Sequence, residues 1–190
     1  MSLLLFYKIF KGPGGCGKTF LYNTLIYKMR QEKKRVFACA STGIAALLLS
    51  QGATAHRTFG IPNDVDSTTT PLIKYESEYG KKLRESELIV IDEVSMIHQD
   101  VLNFIDKTLQ DLQPKDEEKL AFGGKIVVLG GDWKQLLPVI EGASIHEQAA
   151  NSVKASKIFQ YFKTLKLRKN MRADADQKDV IITMTIKLFN

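Results

Sequence analysis

The sequence lacks most of the features that mark secreted, membrane-spanning or metal-clustered proteins. It has two cysteines in 190 residues, Cys16 and Cys39, and they form no CxxC pair. So few thiols exclude a disulfide framework and favour a reducing, intracellular compartment. No run is long and apolar enough to cross a bilayer, so we expect no membrane partner. Residues 1–10 are apolar but have neither the basic start nor the small-residue cleavage site of a signal peptide.

Histidines are scarce, repeats are absent, and basic residues outnumber acidic ones. The three histidines show no metal-ligand spacing, and there is no internal repeat, low-complexity run or interdomain linker. The length therefore suits one well-packed domain. With 27 lysines and arginines against 21 aspartates and glutamates, the net charge is +6. This balance is consistent with a polyanionic partner, or with a protein that is merely basic.

Glycine, in contrast, is concentrated in one loop. Residues 12–19 read GPGGCGKT and fit the phosphate-binding pattern G-x-x-x-x-G-K-[ST]. The glycines allow several backbone N–H groups to converge on a phosphate. Lys18 can reach the β- and γ-phosphates, and the Thr19 hydroxyl can ligate Mg²⁺. The alternative interpretation is a glycine-rich surface turn.

The residues around this loop favour the nucleotide interpretation. An apolar strand is predicted over residues 3–10, and a helix with apolar residues at helical spacing is predicted over residues 18–31. A phosphate-binding loop needs this strand before it and this helix after it. The sequence therefore predicts a nucleotide site.

The rest of the chain continues to alternate between strands and helices. Further strands are predicted over residues 36–40, 88–91, 125–129 and 162–167, and further helices over residues 44–50, 72–84 and 101–112. Residues 52–60 are predicted as a loop with a short helix, and residues 63–70 as an exposed loop. Such alternation predicts an α/β fold with a largely parallel sheet flanked by helices.

Three polar segments follow predicted strands: residues 12–19, 92–93 and 131–135. The carboxyl ends of parallel strands meet at one edge of the sheet, so we expect the three segments to converge there. Asp92 fits the carboxylate that holds Mg²⁺, and Glu93 the general base that polarises the attacking water. The alternative is a strand end that carries two solvated acids.

Two later segments could add groups to this edge. Gln135 could sense the γ-phosphate by hydrogen bonding, while Asp132 before it could be the N-cap of a helix. Arg168, Lys169 and Arg172 follow the last predicted strand, and one of them could stabilise the charge on the transferred phosphoryl group. Spacing alone does not choose among these three cations.

Five segments occur in a fixed order from residue 12 to residue 172. They read GPGGCGKT, STGIAALLLSQGATAHRTFGIP, LIVIDEVSM, GGDWKQLLPV and LKLRKNMR. The set resembles the PIF-type ATP-dependent DNA helicases of superfamily 1B, including the helicase portion of Helitron transposases. The resemblance covers nearly the whole chain but only the front part of such an enzyme.

This resemblance implies a role for each matching residue. Lys18, Glu93, Gln135 and Arg172 would be catalytic, with Arg172 as the arginine that reaches the γ-phosphate in cis. Thr19 and Asp92 would hold Mg²⁺. The ATP contacts would come from the phosphate-binding loop and the residue after it: Gly12, Gly14, Gly15, Cys16, Gly17, Lys18, Thr19 and Phe20.

Single-stranded DNA is the partner that the resemblance implies. Thr42, Gly43, Thr54 and His56 would lie along the strand, where hydroxyls and backbone N–H groups would contact phosphates without reading the base sequence. Phe59 is expected to pack in the core rather than stack on a base.

The resemblance also implies a domain organisation. Residues 1–172 would be a first RecA-like ATPase domain and residues 173–190 a stub, with the second RecA-like domain absent. The full enzyme would be a 5′-to-3′ helicase, acting as a monomer in DNA repair, recombination or telomere maintenance, in the nucleus or mitochondrion if eukaryotic. Two other classes stay open: a truncated nucleotide- or DNA-binding module without turnover, and an unrelated phosphate-loop enzyme such as a kinase.

Overall fold

In the described part of the chain, six parallel strands form one sheet with helices on both of its faces. The computed structural model of the chain describes residues 7–116, 118–133, 144, 151–169 and 171. The strands are β1 (Tyr7–Lys11), β2 (Arg35–Ala40), β3 (Ala53–Thr54), β4 (Ser86–Asp92), β5 (Ile126–Gly131) and β6 (Lys163–Lys166). Their order in the sheet is β3-β2-β4-β5-β1-β6, and every pairing is parallel. The predicted α/β fold is confirmed.

Within the described residues, five α-helices connect these strands. They are α1 (Lys18–Gln31), α2 (Gly43–Leu47), α3 (Ala55–Phe59), α4 (Glu78–Arg84) and α5 (Gln99–Asp111). Short 3₁₀ turns lie at Val94–Met96, Ala121–Gly124, Val153–Ala155 and Lys157–Tyr161. In the part of the chain that the structure describes, no helix is long and apolar enough to cross a membrane.

Two hydrophobic cores lie on opposite faces of the sheet, and β4 contributes to both. Ile89 and Ile91 pack in the core that contains α5, whereas Leu88 and Val90 pack in the core that contains α1. These four residues are at most 1% exposed. A central parallel strand is covered on both faces, which explains why its sequence is continuously apolar rather than alternating.

The predicted extent of α1 agrees with the structure, and so does the predicted burial of Cys39 and Phe59. The helix spans residues 18–31 as predicted, because its apolar residues Leu21, Leu25 and Ile26 are all buried against the sheet. Cys39 and Phe59 are fully buried, so both are core residues as expected.

Two predicted helices are wrong in extent. The helix predicted over residues 72–84 begins only at Glu78, because Ser77 has extended backbone and its hydroxyl oxygen accepts from Gly80 N–H as an N-cap. The helix predicted over residues 44–50 ends at Leu47. Residues 52–60 also contain a two-residue strand, β3, which pairs with the end of β2 and was not predicted.

Candidate nucleotide-binding site

A cavity of about 340 Å³ lies at the carboxyl edge of the sheet, where the three polar segments were expected to meet. Its walls come from the loop after β1, the end of β4, the end of β5 and helix α2. The lining residues are Gly14, Gly15, Gly17, Lys18, Thr19, Phe20, Ala45, Leu48, Asp92, Glu93, Gly131, Asp132 and Met171. The convergence is therefore observed in the described part of the chain.

The start of α1 is built to receive an anion. Its N-cap residue Gly17 has left-handed backbone (φ 87°), no side chain caps the helix, and its first turn contains no acid. The first N–H groups of a helix have no partner inside the helix, and the helix dipole makes this end positive. A phosphate satisfies both conditions, so the loop and α1 form an anion site without further side chains.

Lys18 lies within the same loop. Its Nζ donates to the carbonyls of Gly12 and Pro13 at 2.5 and 3.0 Å. These two contacts hold the ammonium inside the curve of the loop, beside the N-terminus of α1. The cavity therefore combines a point charge with a row of backbone donors, which is the chemistry that a polyphosphate requires.

Asp92 and Glu93 both line the cavity, although adjacent strand residues usually face opposite sides. The change of direction comes from Glu93, whose backbone is left-handed (φ 55°, ψ 34°). This conformation is rare and strained for a residue that carries a Cβ. Ser41 stabilises it, since its Oγ donates to Glu93 O at 3.0 Å and its N–H donates to Asp92 O at 3.1 Å.

Burial is the largest cause of the pKa shifts of the two acids. It raises the pKa of Asp92, while the Glu93 N–H, the Lys18 charge and the Tyr22 hydroxyl oppose that rise. Burial and the Asp92 charge raise the pKa of Glu93, and Lys18 opposes this effect. A raised pKa makes a carboxylate a better proton acceptor, as a general base requires.

Some predicted site residues lie elsewhere. Gly12 and Cys16 do not line the cavity: a Cβ on Gly12 would overlap Cys16 Sγ and lie 2.7 Å from Leu167 O, so this glycine is needed for close packing behind the loop. Cys16 is 3% exposed. Gln135 and Arg172 fall outside the described residues. Met171 is described, and its N–H donates to Gly15 O at 2.8 Å.

The four predicted DNA contacts lie at the same edge, beyond the end of β2. Thr42 and Thr54 are the N-caps of α2 and α3, and their hydroxyl oxygens accept from Ala45 N–H and Arg57 N–H, both at 3.2 Å. The caps use the oxygens as acceptors, so each O–H group can still donate outward. Ala40 pairs with Thr54 across β2 and β3, which brings these two helix starts side by side.

Gly43 and His56 complete this group. Gly43 is exposed and has open space where a Cβ would stand, and His56 is half-buried in the first turn of α3. We call the group of Thr42, Gly43, Thr54 and His56, at the starts of α2 and α3, the threonine edge.

Sequence reasoning missed several residues of the site. Ala45 and Leu48 line the cavity, Ser41 fixes Glu93, and Tyr22 lies against Asp92. The position of Ser41 directly after β2 was the available signal for its role. The others depend on how helices cross the sheet, which single-sequence patterns do not encode.

A second cavity of about 330 Å³ lies behind the loop and was also not predicted. Trp133 forms one wall, with Lys11 Nζ and Lys154 Nζ at 5.1 and 4.7 Å from its ring. Burial and the neighbouring charges of Lys154 and Lys166 lower the pKa of Lys11. Trp133 and Lys11 thus pack behind the nucleotide cavity, with Trp133 edge-on to Phe159.

Comparisons with known proteins agree with this geometry. The family model of PIF1-like helicases matches residues 4–190. The ATP-dependent DNA helicase Pif1 of a Psychrobacter species is 36% identical over 130 residues, covering 67% of this chain and 19% of that protein. Pif1 from Bacteroides in complex with ADP-AlF3 and single-stranded DNA is 30% identical with a TM-score of 0.71, covering 88% of this chain and 39% of that one. The structure of Pif1 from Candida albicans is 26% identical with a TM-score of 0.70, and the match covers 94% of this chain and 40% of that one.

Proposed function

Because the chain belongs to the PIF1-like helicase family, we propose that its carboxyl-edge cavity binds and hydrolyses ATP as the first motor domain of a DNA helicase. The observation that carries this proposal is the convergence of an uncapped helix start, Lys18 and the Asp92–Glu93 pair on one cavity. Family membership also removes the alternative of an unrelated phosphate-loop kinase. The chain spans only about a fifth of its Psychrobacter relative, so the activity of the whole helicase is part of the proposal.

The described residues fit a magnesium ion as well as a nucleotide. The Asp92 carboxylate and the Thr19 hydroxyl supply hard oxygen ligands on the same cavity. Magnesium sites of this kind take one or two protein oxygens, and substrate phosphates and water complete the coordination shell. Bound there, Mg²⁺ would neutralise charge on the β- and γ-phosphates.

The protein's own groups have separate roles in binding the phosphates and in hydrolysis. Lys18 exchanges its loop carbonyls for phosphate oxygens, and the N–H groups of residues 14–19 surround the β-phosphate. Glu93 accepts a proton from the attacking water, with its carboxylate held by the strained turn after β4. We assign γ-phosphate contacts to Gln135 and Arg172. Both assignments rest on the family, since the two residues lie outside the described part of the chain.

The threonine edge is the proposed contact with single-stranded DNA. Its hydroxyls, the exposed Gly43 and His56 offer donors to phosphates at the same edge of the sheet as the nucleotide cavity. A Bacteroides relative has been solved with single-stranded DNA, which supports this partner. Because a single domain makes few contacts with the strand, its affinity for single-stranded DNA should be low and should fall steeply as the salt concentration rises.

We extend the proposal to the whole enzyme by family. Residues 1–172 form the first RecA-like domain of a monomeric, 5′-to-3′ helicase that serves DNA repair, recombination or telomere maintenance. Its ATP hydrolysis drives movement along single-stranded DNA and strand separation. The rival is a module that binds nucleotide without turnover. An ATPase rate above background, raised by single-stranded DNA, separates the helicase domain from that rival.

Substitution of Lys18 tests the nucleotide site directly. Lys18→Ala removes the point charge from the loop, and binding of a fluorescent ATP analogue should become undetectable while the thermal midpoint stays unchanged. Lys107→Ala is a matched control, because Lys107 is exposed and its Nζ donates to Thr69 O on another surface. Equal binding by the unsubstituted protein and Lys18→Ala would refute the proposed site.

A further inference from the structure

Tyr22 carries a buried hydroxyl that interacts with Asp92 but makes no hydrogen bond of standard geometry among the described residues. Its side chain is 0% exposed on α1. A buried hydroxyl without such a bond carries a desolvation cost. Phenylalanine would fill the same space without that cost, so the hydroxyl is not explained by packing.

The hydroxyl lies against Asp92. A Cβ added at Gly130 would overlap the Tyr22 hydroxyl oxygen and lie 2.5 Å from Asp92 Oδ1, so both oxygens border the same small space. The aromatic ring is fixed there by an edge-on contact with Phe10, at 5.9 Å between centroids. Glycine at position 130 is what lets the hydroxyl and the carboxylate approach each other.

The chemistry of the two groups is complementary. Burial and the nearby Asp92 charge raise the pKa of Tyr22 well above its usual value, so the hydroxyl keeps its proton and can only donate or accept as a neutral group. Asp92 Oδ1 already accepts from Glu93 N–H at 2.9 Å. A carboxylate has lone pairs for further donors, and a charge-assisted O–H···O⁻ bond is among the stronger hydrogen bonds.

We propose that Tyr22 is a positioning residue for Asp92, with its hydroxyl donating to the carboxylate when Mg²⁺-nucleotide occupies the cavity. The bond fixes the carboxylate between the Glu93 N–H and the Tyr22 hydroxyl and orients it for the ion. This inference rests on the proposed function. Outer groups that orient a metal ligand typically contribute about 10- to 100-fold in metal affinity.

The test compares two tyrosine-to-phenylalanine substitutions in the 190-residue chain. Tyr22→Phe removes only the hydroxyl beside Asp92. Tyr7→Phe is the matched control, because Tyr7 is also buried, and its hydroxyl donates to Ala121 O at 2.6 Å at the opposite end of β1. For each protein, affinity for a fluorescent, non-hydrolysable ATP analogue is measured in excess Mg²⁺ and in excess EDTA, together with the thermal midpoint.

We expect Tyr22→Phe to weaken binding in Mg²⁺ by about 10-fold or more and to leave binding in EDTA unchanged. Its thermal midpoint should change little, since phenylalanine keeps the edge-on packing of the ring against Phe10. Tyr7→Phe should lose stability and keep both affinities. In an Asp92→Asn background, Tyr22→Phe should cause no further loss, because it acts through the carboxylate.

Three results would overturn the inference. An unchanged Mg²⁺ affinity in Tyr22→Phe would remove the positioning role, and equal losses in Mg²⁺ and EDTA would reduce Tyr22 to a packing residue. A further loss in the Asp92→Asn background would show that Tyr22 acts elsewhere. If the unsubstituted protein showed no gain from Mg²⁺, the proposed function itself would fail, which is a distinct outcome.

Discussion

The amino end and the carboxyl end of the sheet differ in how their buried polar groups are partnered. At the amino end, Lys125 Nζ donates to Arg84 O and Ser86 O at 2.7 and 3.0 Å. Asp106, packed beside that end, accepts from Phe122 N–H at 2.5 Å and from Gln110 Nε2 at 2.6 Å. Each of these buried groups has its partners within the fold.

The carboxyl end has the opposite character. The start of α1 has no side-chain cap, Glu93 has strained left-handed backbone, and the Tyr22 hydroxyl has no standard partner among the described residues. Each of these features costs stability in the free protein. The buried groups named at the amino end are satisfied within the fold, whereas the carboxyl end keeps an uncapped helix start, a strained turn and a buried hydroxyl beside the cavity.

Glu93→Gln should have the largest effect of the substitutions that test this division. It keeps the shape of the side chain and removes the base, so ATP hydrolysis should fall by about 10²- to 10⁴-fold with little change in ATP affinity or stability. Steady-state ATPase assays and a binding titration measure the two effects. Asp92→Asn is the counterpart and should abolish the gain in nucleotide affinity that Mg²⁺ gives. If Asp92→Asn kept that gain while Glu93→Gln abolished nucleotide binding, the two roles would be assigned wrongly.

Lys125→Met should show the reverse behaviour at the amino end. It leaves two buried carbonyls without their donor, and we expect a loss of about 1–3 kcal/mol in the free energy of unfolding. Nucleotide affinity of the folded fraction should not change. Chemical denaturation and the fluorescent ATP analogue measure these outcomes, and a loss of nucleotide affinity at constant stability would break the comparison between the two ends.

Glu93→Gly should stabilise the protein while it removes activity. Glycine adopts the left-handed backbone without steric strain, which should add about 0.5–1 kcal/mol to the free energy of unfolding. Lys33→Gly is the matched control, since Lys33 is also left-handed (φ 60°) but lies after α1, away from the cavity. Lys33→Gly should gain stability without losing ATPase activity. A Glu93→Gly protein that is less stable than the unsubstituted protein would argue against backbone strain at residue 93.

His56→Ala should have the smallest effect. Loss of one donor from the threonine edge should weaken single-stranded DNA binding by a few-fold, with ATP binding unchanged. Fluorescence anisotropy at two salt concentrations measures it, and affinity should fall steeply as salt rises. His98→Ala serves as control, because His98 caps α5 instead. Equal losses in both variants, or tight binding that ignores salt, would refute the threonine edge.

The sequence predicted the features that depend on local pattern. The apolar run at residues 88–91 identified the central strand, and the glycine-rich loop with Lys18 identified the anion site. The rule that strand ends meet at one edge brought Asp92 to that site. These predictions succeeded because periodicity, backbone sterics and parallel topology act over short stretches or apply to every such sheet.

Other features could not be predicted because they depend on tertiary packing. Residues 72–77 have a composition that is compatible with a helix. The helix nevertheless begins only after Ser77, because the Ser77 hydroxyl caps its first turn. The two-residue strand β3 forms only because β2 presents its edge there. The approach of Tyr22 to Asp92 requires the crossing of α1 over the sheet and the missing Cβ of Gly130, neither of which leaves a pattern in the sequence.

The two hydrogen bonds that follow β6 have a mechanical consequence. Leu167 N–H donates to Lys11 O at 2.7 Å, and Met171 N–H donates to Gly15 O at 2.8 Å. The outgoing chain is thereby tied at two points to the strand and the loop that hold the phosphates. A displacement of Leu167 or Met171 would therefore act directly on the carbonyl of Lys11, which directly precedes the phosphate-binding loop, and on the carbonyl of Gly15, which lies within it.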